Sequence, residues 1–324
     1  MVRTEETRRL SVAALRILAV AALYYGGAQL GLLREVTVES AVVTPLWPST
    51  GIALTCLLYM GIGVWPGIAL GALLNIVTIG PIYSTDPGII AASTLAPVCA
   101  CLMLRRVGFR TEVDRLRDGL ALVFLGAMGG MLISATIGTW MLVLSGRLHL
   151  DDFWPVWSAW WTGDAMGVLV VTPVLLVLRK IRLPRDTHRW AEMFALVIGA
   201  AVITPLATRS PLALLFLVFP LIIWAALRFQ LAGSAPCALF ASVLTILAAT
   251  DGVGPFAHHT LIEVVVTLQL FNGSVALTAL LLSAIVTEKR NIRLKIDQVC
   301  NDLAEVVAHL APGAAGNRLP PDRT

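Results

Sequence analysis

The chain has 324 residues, 57% of them hydrophobic and only 14% charged, with a formal net charge of +4. A soluble domain carries about 25% charged residues, so this composition excludes an ordinary soluble protein. Period-two alternation of apolar and polar residues is absent, which excludes a β-barrel. The fold class is all-α, a polytopic bundle of transmembrane helices.

Residues 1–10 form a basic N-terminal segment. The apolar run that follows is too long for a signal-peptide core, so it reads as a retained first helix. Ten spans are predicted, at roughly 11–32, 46–62, 64–82, 88–106, 118–144, 154–178, 190–208, 211–228, 231–250 and 260–286. The weakest junctions are 62–64 and 208–211, where two spans could be one broken helix. With the N-terminus inside, 21 of the 24 Lys and Arg fall on the inner side. Only Arg34, Arg147 and Arg209 fall outside. This split predicts both termini in the cytoplasm.

The second and third spans open on matching phrases, Trp47-Pro48-Ser49-Thr50-Gly51 and Trp65-Pro66-Gly67. Proline suits a first helical turn, where its missing N–H does no harm, and tryptophan suits the membrane interface. Gly63, Gly67, Gly71 and Asn75 recur every four residues. Small residues on one stripe let another helix approach closely, and Asn75 can hydrogen-bond across.

The sixth span, Trp154 to Arg179, carries the one acidic residue deep in an apolar segment, Asp164. With the hydrocarbon edge near Trp157, the carboxyl lies about 10 Å below the surface. At that depth it must be hydrogen-bonded, hydrated or protonated. Trp157, Trp160, Trp161, Asp164, Gly167 and Val171 follow helical spacing and read as one face, with the tryptophans as a wall leading from the outer surface to the acid. Pro173 predicts a kink below it. No Lys or Arg lies mid-span, so the expected partners of Asp164 are amides such as Asn75, Gln269 and Asn272, hydroxyls, or water. The acid is either a sensing site or a tie between helices.

Past the outer loop 251–259, Thr260 and Glu263 read as a capping box opening the last helix. That helix continues beyond the bilayer. Ile292, Ile296, Val299, Leu303, Val306 and Leu310 are spaced 4-3-4-3-4, a heptad seam of nearly three heptads. The alternative is an amphipathic helix lying on the bundle or the membrane. The tail from 311 reads as disordered. The chain thus divides into a cytoplasmic N-terminal segment 1–10, a transmembrane domain 11–286, a heptad-patterned cytoplasmic helix 287–310 and a tail 311–324.

No phosphate-binding glycine loop, zinc-protease motif or nucleophile elbow is present. Catalytic residues, metal ligands and a cofactor are not expected, nor is a nucleic-acid partner, since topology explains the basic loops. The five cysteines, Cys56, Cys99, Cys101, Cys237 and Cys300, imply no structural disulfide.

Several separated phrases, in order, resemble the MASE1 family of bacterial membrane-associated sensor domains. They are Leu46 to Leu54, with Trp47, Pro48 and Gly51; Trp65-Pro66-Gly67 with Leu70 to Asn75; Trp160 to Gly167, with Gly163; and Val171-Thr172-Pro173. Gly252 to Phe256, Leu268 to Phe271 and Leu277 to Leu281 continue the match, which covers about residues 12–290. The resemblance implies a multi-pass sensory input module in the bacterial inner membrane, usually fused to a kinase or cyclase. It is also similar to the membrane half of a sugar-phosphate-responsive kinase that listens to a transporter. Only about 38 residues follow the last span, too few for an output domain. The expectation is therefore a sensor acting through a separate signalling protein or transporter, or as a homodimer through 292–310. The competing readings are a small-solute transporter, for which ten helices, helix-breaking prolines and a buried acid serve equally well, and a structural subunit of a membrane complex.

Overall fold

The computed structural model describes residues 2–33, 36–38, 41–179, 187–210, 212 and 214–310. Its order is α1 (Val2–Leu32), a ribbon of β1 (Val36–Val38) and β2 (Ala41–Val43), α2 (Pro48–Met60), α3 (Trp65–Ile79) and α4 (Asp86–Arg106). Then come α5 (Leu116–Leu144), α6 (Leu150–Leu178), α7 (Thr187–Arg209), α8 (Leu215–Phe229), α9 (Leu231–Thr250) and α10 (Leu261–Leu310). Ten helices are thus seen among the described residues, as the hydropathy predicts. Eight are long and apolar enough to cross a bilayer, while α2 and α8 are shorter. The predicted tail 311–324 lies outside the described residues.

The departure from an all-helical chain is the ribbon, whose strands pair antiparallel in the register Val36↔Val43 and Val38↔Ala41. Three residues per strand are too few for hydropathy alternation to reveal. The junction at 62–64 holds two separate helices: Gly61, at φ +90°, ends α2, and a single 3-10 turn leads into α3. Only glycine takes that dihedral without strain. The capping box at α10 is formed both ways. The Thr260 N–H donates to Glu263 Oε2 at 2.9 Å, and the Glu263 N–H to Thr260 Oγ1 at 3.4 Å.

Large apolar side chains divide between a tight interior and an outward lipid face. Leu54, Leu57, Ile68, Leu104, Leu122, Met131 and Leu176 are fully buried in one core. A smaller core joins Ala207, Val218, Ile222, Phe271 and Val275. Phe194, Ile198 and Val202 of α7 point outward on helical spacing, each more than half exposed, as a lipid-facing stripe requires.

Helices approach where glycine permits. A Cβ on Gly67 would strike the Ile17 carbonyl, and one on Gly71 would come within 2.8 Å of Tyr24 Cβ. The glycine stripe of α3 is therefore the seat of α1; Gly63, whose Cβ would meet nothing within 4 Å, is not part of that contact. A closer crossing joins α2 to α6. The Trp47 N–H donates to the Gly163 carbonyl at 3.0 Å. A Cβ on Gly163 would meet the Thr44 carbonyl, one on Gly167 the Trp47 carbonyl, and one on Gly51 the Gly167 carbonyl. The two backbones touch, so no side chain fits between them.

Two helices carry a π segment, Leu122–Gly129 in α5 and Gly167–Val171 in α6. Pro173 follows the second directly. Proline cannot bond back to Leu169, and a wider π turn stands just before it. Such π turns recur at functional positions.

Candidate functional site

Asp164 sits three residues before this second π segment, 4% exposed. Its Oδ1 accepts the Thr50 hydroxyl at 2.7 Å, and its Oδ2 is hydrogen-bonded by the Ser134 hydroxyl. The Trp160 side chain stands close by, one helical turn away. Three helices, α2, α5 and α6, thus converge on one carboxylate. Thr50 lies in the first turn of α2, so the partial positive charge of that helix start faces the acid. Among the described residues, Asp164 has no ion-pair partner.

The carboxylate lines a cavity of about 600 Å³, a size typical of small-molecule sites. Its walls hold Tyr24 and Gln29 from α1, Trp47 and Thr50 from the start of α2, Asn75 and Thr78 from α3, Ser93 from α4, Ser134 from α5 and Trp160 from α6. The Tyr24 phenol stands beside Trp47 and Ser93. Gln29 Nε2 donates to Asn75 Oδ1 at 3.4 Å. The rim is built from loops at the end opposite the α10 extension, with Gly80, Pro81, Tyr83 and Arg147. There Arg147 pairs with Asp86 at 2.6 Å and lies 4.3 Å over the Tyr83 ring.

The proposed tryptophan wall divides. Trp160 alone lines the cavity, in a space left open because α5 has Gly138 there; a Cβ would come within 2.7 Å of the indole. Trp157 and Trp161 stack on each other at 5.9 Å on the outer side. Their indole N–H groups donate to Thr136 Oγ1 at 3.0 Å and the Met128 carbonyl at 2.9 Å. They clip α6 to α5. The 3.6-residue period puts Trp160 about 100° away from Trp161, which is why one stripe becomes two.

The amides divide in the same way. Asn75 lines the cavity, whereas Gln269 and Asn272 lie outside it. Gln269 Nε2 donates to the Pro45 carbonyl at 3.3 Å. Asn272 is 1% exposed, with both side-chain polar atoms unpartnered by protein. The remaining motif residues are structural. Trp65 is half exposed at a helix start, Pro48 and Pro66 occupy first turns, and Gly51, Gly67, Gly163 and Gly167 mark close crossings.

Sequence reasoning named Trp47 only as a motif residue and missed Thr50, Ser134, Tyr24, Asp86 and Arg147 as parts of the cavity. A signal existed for Thr50, which belongs to the conspicuous Trp47 to Gly51 phrase. Ser134 is one of a few hydroxyls in a long apolar span and carried none.

A family model described as MASE1 matches residues 16–290. No curated protein and no solved structure shows a significant match.

Proposed function

Because the chain belongs to the MASE1 family of membrane-associated sensory domains, we propose that it is a signal-input module of the bacterial plasma membrane that detects a small ligand in the Asp164 cavity. One observation carries the reading. The cavity opens at one end of the bundle, and the 50-residue α10 leaves the other end as a bare helix. Its seam residues Ile292, Ile296, Val299, Leu303 and Val306 are each at least half exposed, so the seam is available to a partner. We take that partner to be a second copy or a separate signalling protein or transporter, with no catalysis in this chain itself. The charge split supports a cytoplasmic location for the α10 extension 287–310 and for both termini.

Cysteine cross-linking tests the output half of this reading. In a variant lacking the five native cysteines, Ile296→Cys and Leu303→Cys should cross-link between subunits, and ligand should change the yield. Asp297→Cys and Asp302→Cys, off the seam, should cross-link far less. Equal yields at all four positions would mean that the helix lies on a surface and does not pair through its seam.

A further inference from the structure

Among the described residues, three charged side chains line the cavity: Asp86, Arg147 and Asp164. Asp86 and Arg147 neutralise each other at the rim. Among the described residues, the inner end is left with one buried carboxylate and no cation. Its hydrogen-bond partners among the described residues are two hydroxyls, which orient the charge without cancelling it. The start of α2 offers only a partial positive charge. A buried carboxylate is stabilised by protonation, hydration or a counter-charge, and a cavity beside it has room for the last.

The surroundings select the kind of counter-charge. Tyr24, Trp47 and Trp160 line the cavity with Asp164. Aromatic faces beside a carboxylate are the recognition chemistry of organic cations, whose alkyl surface packs on the rings while the charge is drawn to the ring faces. A bare metal ion would need a tight shell of oxygens at about 2.0–2.6 Å, and a cavity of about 600 Å³ does not close to that size. Arg147 already covers Tyr83, so the free rings are those near the acid.

We propose that this cavity takes a small organic ammonium ion, its nitrogen against Asp164 and its carbon surface against Tyr24, Trp47 and Trp160. This inference rests on the sensing reading and names the ligand class for the same cavity.

The test uses the full chain in lipid nanodiscs, with thermal stabilisation reporting occupancy and a spin-label distance across paired copies at Ile296 reporting output. The probes are choline, tetramethylammonium and propylamine; 3,3-dimethylbutan-1-ol, the uncharged isostere of choline; and sodium chloride. At least one organic cation should stabilise the protein saturably, and choline should bind at least about tenfold more tightly than its isostere. Asp164→Asn should fold and lose this stabilisation, and Trp160→Leu should weaken it. The proposal is overturned if the isostere binds as tightly as choline, if stabilisation persists in Asp164→Asn, if sodium alone reproduces it, or if no organic cation binds at millimolar concentration. The two readings separate in the spin-label arm. An isostere that binds and moves α10 removes the ammonium class and keeps the sensor. A cation that binds through Asp164 and leaves α10 unmoved keeps the ligand class and removes the sensor.

Discussion

The backbone N–H of Leu116 donates to the Glu288 carboxylate at 2.8 Å, across 172 positions of sequence. Leu116 opens α5, the helix that carries Ser134. Glu288 sits where α10 leaves the bundle, since every residue from Lys289 to Arg290 and from Ile292 to Val307 is exposed. The helix bearing one partner of Asp164 is therefore tied at its far end to the root of the α10 extension.

That tie predicts a measurable loosening. Arg115, at the N-cap of α5, makes no side-chain capping bond, so Glu288 supplies the cap from another helix. Glu288→Ala should cost about 1 kcal/mol, the usual price of losing a cap. Hydrogen exchange should accelerate at residues 116–119, while the amides around Asp164 keep their protection. Unchanged exchange at 116–119 would show that the bond does not hold the helix start.

The α2–α6 crossing makes a second prediction. Gly167→Ala would drive a methyl into the Trp47 carbonyl, backbone that cannot swing away as a side chain can. Overpacking of this kind costs about 1–3 kcal/mol, and the displaced Trp47–Gly163 bond adds to it. Gly26→Ala is the control: its Cβ would meet nothing within 4 Å, and in mid-helix alanine should be neutral or favourable by up to about 1 kcal/mol. Melting temperatures in detergent decide the matter, and a Gly167→Ala protein as stable as Gly26→Ala would mean that the backbones are not in contact.

The span count, the charge asymmetry, the capping box and the isolation of Asp164 were legible because each is a local or summed property of the chain. Span-to-span register is neither. Gln269 and Asn272 drew attention as natural amide partners, but which residue of α10 lies level with Asp164 depends on how far the helices slide. The hydroxyls of Thr50 and Ser134 fill that place instead. Thr50 looked like part of a helix start, and it is one; its position in the first turn is what aims it at α6. The tryptophan face misled because Trp157 and Trp161 belong to one stripe while Trp160 and Asp164 belong to another, and the π segment beginning at Gly167 breaks the regular period beyond them. The exposed seam on α10 was readable throughout, since a heptad pattern needs no knowledge of its partner.

The Thr50–Asp164 bond can be weighed by a double-mutant cycle. Among the described residues, Thr50 Oγ1 makes a hydrogen bond to Asp164 alone, whereas Ser134 Oγ also reaches the Met131 carbonyl at 3.0 Å. Removing the acid therefore strands Thr50 more completely than Ser134. Asp164→Asn keeps an acceptor in place and should lower stability little. Asp164→Leu should cost about 1–3 kcal/mol, the desolvation penalty of a buried hydroxyl left unpaired. In a Thr50→Val background that hydroxyl is gone, so the same Asp164→Leu change should cost less by about 1 kcal/mol, in line with hydrogen bonds measured between membrane helices. Melting temperatures of the four proteins, in detergent without added ligand, give the coupling directly. A leucine penalty of equal size in both backgrounds would show that Thr50 does not hold the carboxylate and that the cost arises elsewhere in the cavity wall.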